Sequence, residues 1–446
     1  MSPESFSTTP IEADMAQAPV GLLRFVRNAG RSLLSVIPSE TLHALYVKGP
    51  ARIHYLCDPD LITRVLVTDA ANFPKSRVTK NILGSAIGNG MILSEGKVWK
   101  EQRRRYAPLF AARNLPVLAR TFADTGDRLG RDLASTAGTV DVSTLAQNAS
   151  LSDITQVMFS GSQDVDPAEV KAGLARYTAY VAEMSLFDLM GLPSWVPRLK
   201  WLKSKAPVTD MRRLARTVIL ARQGENREEP QDFLDLMIDA VKADTEELDQ
   251  TVDNLLTFVV AGHETAANTL SWGVYLLALY PEAQEALRTE ILAACPEGPI
   301  PYAALEAMPR LDAHVKETLR LYPAAAFFAR DVAQDVTLGD IPLRKGDALF
   351  LPIYALHRNA LLWDAPNSYR PDRFDGAKLA RGQYLPFGDG PRVCIGAQYA
   401  TTEIKILLAS VLRCVRFSLS HRPIPKPLVT ITMHPEGPLH LRAAPL

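Results

Sequence analysis

Cysteine is scarce in this chain of 446 residues: there are four, Cys57, Cys295, Cys394 and Cys414, and no two form a C-x-x-C pair. That spacing excludes a disulfide framework and the usual structural zinc site. An isolated cysteine is ordinarily a small buried filler, and Cys57, Cys295 and Cys414 are read so. Net charge is also lacking, because 49 basic and 49 acidic residues cancel; nothing in the balance points to nucleic acid or to an anionic membrane. No apolar run reaches the roughly 18 residues of a membrane span, so no transmembrane anchor is expected. The first 18 residues are polar and proline-bearing, without the basic start and apolar stretch of a secretory signal. Residues 20–37 are weakly amphipathic, with Leu22, Leu23, Phe25, Val26, Leu33, Leu34 and Ile37 among basic residues, and are expected to pack on the protein's own core. The expected location is the cytoplasm. Internal repeats and low-complexity tracts are absent.

What is present is ordinary in bulk: 47% apolar and 22% charged residues, typical of a soluble globular protein. Length alone suggests two or three domains, and a chain this long can enclose an internal cavity. Helical periodicity dominates residues 96–322. Its clearest stretch is 244–280, where Asp244 and Glu247 have capping-box spacing and Pro281 closes the run; it predicts a helix roughly 50 Å long. Residues 255–262 and 270–279 are apolar nearly all round, so this helix is a buried spine. Strands are expected at 52–56, 336–338, 348–352 and 428–433. Residues 358–393, rich in Pro, Gly, Asp and Arg, predict a long meander, and a helix is expected from Ile395 to about Arg416.

The densest chemistry lies in Phe387-Gly388-Asp389-Gly390-Pro391-Arg392-Val393-Cys394-Ile395-Gly396. Three glycines crowd one cysteine at the start of a helix. Glycine permits positive φ and the close approach of a flat ligand, and a helix N-terminus favours thiolate. Thiolate is the ligand that pushes electron density onto heme iron, and Arg392 is placed to pair with a heme propionate. A second string, Ala261-Gly262-His263-Glu264-Thr265, falls in the middle of the spine. Thr265 is positioned to bond back to the carbonyl of Ala261, Gly262 leaves room against the backbone, and an acid beside an alcohol makes a proton relay. His263 is assigned to structure. A third, Glu317-Thr318-Leu319-Arg320, puts Glu317 and Arg320 on one helix face and is followed by Pro371-Asp372-Arg373-Phe374. A fourth, Trp99 to Arg103, sets an aromatic and a cation at i and i+4.

Together these strings resemble the cytochrome P-450 family. The first, continuing into Ala400 and Glu403, is similar to its heme-binding signature; the others resemble its A-G-x-[D/E]-T, E-x-x-R with P-x-R-F, and W-x-x-x-R elements. They occur in the family's order from about residue 50 to the C-terminus. The resemblance implies a mainly α fold with a small β region. Residues 1–40 would be an extension and 41–446 one heme-thiolate monooxygenase domain, so the two-to-three-domain expectation fails because a single core wraps the cofactor.

The implied cofactor is heme b (iron protoporphyrin IX), lying between the spine and the cysteine helix with Cys394 as axial ligand. Trp99, Arg103, Arg330 and Arg392 would meet its propionates, and Ala261, Gly262, Phe387, Gly388, Gly390, Gly396 and Ala400 would contact it. Glu264 and Thr265 would deliver protons to O2, and Glu317, Arg320 and Arg373 would form a buried network. The substrate is expected to be an apolar small molecule, held by Phe258, Val259, Ala324, Phe327 and Phe328, by residues 82–93 and by a roof at 177–202. Electrons are expected from a separate ferredoxin, or a flavodoxin, with its reductase, steered to Lys97, Lys100 and Arg104. Two alternatives are a peroxide-driven peroxygenase of the same fold and a non-catalytic heme sensor; the acid–alcohol pair argues against the first, and the oxygen motif with the basic patch against the second.

Overall fold

The computed structural model describes residues 9–17, 32–50, 52–136, 138–159, 167–182, 206–224, 233–242, 248–376 and 378–446. The spine is a helix of 32 residues, Leu248–Leu279. Asp244 and Glu247, read above as its cap, lie outside the described residues. Ala266 to Ala278 are buried without interruption, as the all-round apolar pattern requires. In the middle, Val260, Ala261, Gly262, Glu264 and Thr265 are only half-buried; their open surface is that of an internal cavity. The spine packs on helices Val142–Phe159 and Ala397–Cys414, and the latter also packs on Leu115–Thr136.

The helix after Cys394 is two residues shorter at each end than expected. Val415, Arg416, Phe417, Ser418 and Leu419 alternate inward and outward and leave the helix as a strand, pairing with the C-terminal strand His440–Pro445, whose other edge takes Gly138–Asp141. A separate four-stranded sheet runs in the order Tyr46–Lys48, Ile53–Leu56, Ala348–Leu351, Phe328–Asp331. It covers a smaller apolar core built on Leu56, Ile62, Val65, Leu349 and Leu351. Phe328 and Arg330 are two residues apart on its last strand and so share a face. The single strand expected at 428–433 is instead a hairpin, Pro427–Val429 with Met433–Pro435. Its turn brings Thr430, Ile431 and Thr432 to the cavities.

The N-terminal residues described are tied to the main core. Ile11 N–H donates to Tyr275 Oη (3.2 Å), Tyr322 Oη donates to the Ile11 carbonyl (2.8 Å), and Ala13 N–H donates to Tyr354 Oη (2.9 Å). Leu34, Val36 and Ile37 are fully buried in the same core. The expected amphipathic stretch is described only from residue 32, and the pocket roof at 177–202 only as far as 182.

Two carboxylates are enclosed where the helices meet: Asp153 of Val142–Phe159 is 0% exposed and Glu403 of Ala397–Cys414 is 2% exposed. Glu403 accepts from Ser150 Oγ (3.0 Å), which also donates to the His263 carbonyl (3.0 Å). Asp153 accepts no hydrogen bond of good geometry. Burial pushes its carboxyl up to about 8, against the opposing pull of Thr125 and Arg128. Burial, then Asp153, holds Glu403 well above the usual carboxylate range. The folded protein therefore retains a proton here that the unfolded chain releases near pH 4, and the pair's contribution to stability falls as pH rises from about 4 to about 8. Asp153→Asn, neutral at every pH, is expected to flatten that fall. Its melting temperature should exceed the native value by a few °C at pH 8.5 and match it near pH 4; an equal offset at both pH values would refute the assignment.

Candidate functional site

A cavity of about 400 Å³ lies between the half-buried middle of the spine and the loop that ends at Cys394. The loop closes on itself, with Cys394 N–H donating to the Phe387 carbonyl (2.9 Å). Gly390 has φ 70°, and a Cβ there would lie 2.2 Å from the Leu66 carbonyl oxygen, so only glycine lets the loop seat against the sheet side. Cys394 is exposed, yet protein atoms surround it and burial raises its thiol pKa; both hold because its open surface faces the cavity. The Gly396 N–H and the Arg103 guanidinium pull the other way. The expectation that the helix N-terminus favours thiolate thus meets a larger opposing effect: burial of the thiol outweighs the Gly396 N–H and Arg103.

One edge of the cavity is cationic. The Arg392 guanidinium lies 4.0 Å over the Trp99 ring and donates to the Ser94 carbonyl (2.7 Å). Arg103 donates to the Val393 carbonyl (2.9 Å), beside the sulfur. Arg330 donates to the Ala329 carbonyl (3.0 Å) and faces an adjoining cavity of about 200 Å³. Burial pushes Arg330 and Arg392 down to about 10. Lys75, which lines both cavities, is pushed down to about 7 by burial and then by those two arginines. The carboxylate that offsets all three is Glu95, itself paired with Lys80 (3.2 Å). Three half-buried cations around one shared carboxylate, with their open surface on the cavities, fit a ligand that brings its own acid groups. Lys75 was missed in the sequence, where a single lysine after Pro74 carries no signal; an isolated bridge to Arg330 brings it in.

On the opposite wall, Thr265 Oγ1 donates to the carbonyls of Ala261 (2.7 Å) and Gly262 (3.4 Å). A Cβ on Gly262 would lie 3.3 Å from Ile154 Cδ1, so this glycine also serves close helix packing. Glu264 lines the cavity. His263 turns away to the Gln147 carbonyl (3.2 Å), and burial lowers its pKa. Phe258, Ala324, Phe328, Phe387, Gly396 and Ala400 line the main cavity, and Gly388 and Phe327 the smaller one. Leu83, Met91 and Ile92 represent the 82–93 segment in the main cavity. Val259 does not line it: one residue past Phe258 rotates it about 100° around the helix, it is fully buried elsewhere, and Val260 takes the wall.

The structure brings Glu317, Arg320 and Arg373 together. Arg320 Nε and Nη2 meet the Glu317 carboxylate at 2.6 and 2.8 Å, and Arg373 Nε reaches it at 3.4 Å. Lys97, Lys100 and Arg104 are exposed on helix Gly96–Tyr106, whose Arg103 turns inward.

A sequence profile described as Cytochrome P450 matches residues 44–442. The chain belongs to the cytochrome P450 family. Similar proteins include Cytochrome P450 3A29 of Sus scrofa, 30% identical over 87% of this chain and 82% of that protein. Cytochrome P450 3A12 of Canis lupus familiaris is 28% identical over 90% and 84%, and a Cytokinin hydroxylase of Arabidopsis thaliana is 28% identical over 88% and 79%. The crystal structure of cytochrome P450DA heme domain superposes with a TM-score of 0.77 over 88% of this chain and 87% of that one, at 24% identity, and establishes the shared fold. The P450 is therefore a heme-thiolate monooxygenase. Its cavity suits heme on two observations: a buried sulfur open to the cavity, and a cation cluster short of anions. When bound, heme supplies the redox chemistry that activates O2. Reduced protein under CO is expected to show the long-wavelength Soret band of thiolate ligation, and Cys394→Ser to abolish it; a variant that keeps the band would remove Cys394 from the role.

Proposed function

We propose that this P450 inserts one oxygen atom from O2 into an apolar organic substrate, with Cys394 as the heme's axial ligand and Glu264 and Thr265 delivering protons. The observation that carries this reading is the juxtaposition, across one apolar-walled cavity, of an accessible sulfur and an acid–alcohol pair on the spine. Residues 41–446 act as one catalytic unit. Trp99, Arg103, Arg330, Arg392 and Lys75 hold the heme's carboxylates. Phe258, Ala324 and Phe328 exclude water from the substrate's reacting carbon. Thr265 shares its hydroxyl proton with the helix carbonyls, leaving its oxygen lone pairs toward the cavity, and Glu264 is placed to replenish protons beside it. Peroxide use is disfavoured by this intact acid–alcohol pair. Four free thiols suit a reducing compartment, consistent with the cytoplasm.

We further propose that an acidic donor of ferredoxin type, or a flavodoxin, with its reductase, docks on the face bearing Lys97, Lys100 and Arg104. Support comes from Arg103, which ties that helix to the loop carrying Cys394, and from a local excess of cations on a chain neutral overall.

Thr265→Ala is expected to keep its heme while product per NADH falls several-fold and peroxide release rises. Unchanged coupling in both Thr265→Ala and Glu264→Gln would count against the relay. Reversing charge at Lys97, Lys100 and Arg104 should slow reduction by the donor at low salt without altering substrate affinity; a wild-type reduction rate would move the docking site elsewhere.

A further inference from the structure

Helix Val142–Phe159 grips the spine where the acid–alcohol pair begins. Gln147, Ser150 and Ile154, spaced i, i+3 and i+7, share one of its faces. His263 Nε2–H donates to the Gln147 carbonyl (3.2 Å), Ser150 Oγ donates to the His263 carbonyl (3.0 Å), and Ile154 Cδ1 closes on Gly262. The His263 carbonyl and the Glu264 N–H belong to one planar peptide unit. Ser150 therefore holds the plane that leads into Glu264, which lines the cavity.

Ser150 Oγ lies as close to Glu403 Oε1 (3.0 Å) as to the His263 carbonyl. A hydroxyl carries one hydrogen, so it donates fully to only one of the two oxygens. The choice falls to Glu403. A protonated carboxyl donates to Ser150 Oγ and leaves the serine hydrogen for His263. Negative charge on the carboxyl pair draws that hydrogen to Glu403, because charged acceptors make the stronger bond. Several groups face this pair. Tyr399, on the helix of Glu403, and Asp153 are buried beside it. Helix Leu115–Thr136 brings Asp124, Thr125 and Arg128 against Asp153. Arg128 is exposed and donates to Thr125 Oγ1 (3.1 Å). The spine contributes His263, whose imidazole pKa burial lowers, with Glu264 beside it. A solvent-facing cation thus stands at one end of this chain of groups and the spine at the other.

We infer that Ser150 is a positioning residue for Glu264 and Thr265, and that its hydrogen moves from the His263 carbonyl to Glu403 when the buried carboxyl pair loses its first proton. That role rests on the proton delivery proposed above for Glu264 and Thr265, and places it under the control of a group remote from the cavity. The pair titrates as a unit. Burial holds Asp153 up at about 8, so the spine peptide is held below that pH and released above it.

The test uses heme-loaded full-length protein, reduced under CO, and infrared measurement of the C–O stretch. That band responds to the polarity of the groove lined by Gly262 and Thr265, whatever the turnover. The native band should divide between two positions whose proportions exchange with a midpoint at about pH 8. Ser150→Ala lacks the hydrogen and should show the high-pH position alone at every pH. Ser150→Thr should restore the exchange. Glu403→Gln, whose amide donates to Ser150 Oγ without titrating, should keep the low-pH position throughout. Lys75, at the cavity's cationic edge, is intact in every variant, so loss of the exchange in Ser150→Ala is specific to the serine. A native band indifferent to pH, or an exchange that persists in Ser150→Ala, overturns the switch. The two serine variants decide the matter if Glu403→Gln does not fold. Unchanged coupling in both Thr265→Ala and Glu264→Gln would instead remove the relay, and with it the positioning role, while the band still reports whether the hydrogen moves.

Discussion

Everything in this fold is arranged around a sulfur atom that is buried and still accessible. Cys394 has to face an internal cavity rather than solvent, and its loop meets that demand by turning at Gly390 against the Leu66 carbonyl and closing from Cys394 N–H to the Phe387 carbonyl. The spine helix then has to be buried along its length and bare in its middle. Its two apolar runs and the small residues Ala261 and Gly262 between them satisfy that requirement. Helices Leu115–Thr136 and Val142–Phe159 complete the enclosure from behind.

Enclosure has an electrostatic cost, which the structure concentrates at one edge. Lys75, Arg330 and Arg392 are held close together with Glu95 as shared counter-charge, and burial pushes each below its ordinary value. Such a cluster is unfavourable without anions. Heme carries two carboxylates, and on the reading proposed above its binding would relieve this repulsion and so add to the stability of the holoprotein. Two of the same cations, Lys75 and Arg392, also fasten the carbonyls of Met91, Ile92 and Ser94. The core network of Glu317, Arg320 and Arg373 stands apart from this edge; there two guanidiniums share one carboxylate, and Arg373 also donates to the Asp364 and Ala365 carbonyls of the meander.

Local pattern made the candidate site legible in the sequence. A cysteine among three glycines, an acid beside an alcohol on a buried helix, and Glu317 with Arg320 are short-range signatures, and each occupies the element expected of it. What was not legible depends on long-range packing. Lys75 reaches the site only because its segment bridges to Arg330. Val259 was displaced from the cavity by helix phase, which a run of apolar residues conceals. The 428–433 run became a hairpin because Thr430 to Thr432 turn toward the cavity rather than continue a strand. At the thiol, the dipole argument counts a helix terminus but not the surrounding desolvation, which pulls the other way. The buried pair Asp153 and Glu403 lies on two helices far apart in sequence and becomes a pair only when they pack.

The central claim is that Cys394 supplies the sulfur bonded to the heme iron. X-ray absorption at the iron edge tests it most directly, because it counts the atoms bonded to the metal whatever the protein's activity. The account predicts one sulfur neighbour in the ferric native protein and none in heme-loaded Cys394→Ser. A native spectrum with nitrogen and oxygen neighbours alone, or a sulfur that persists in the variant, would contradict it.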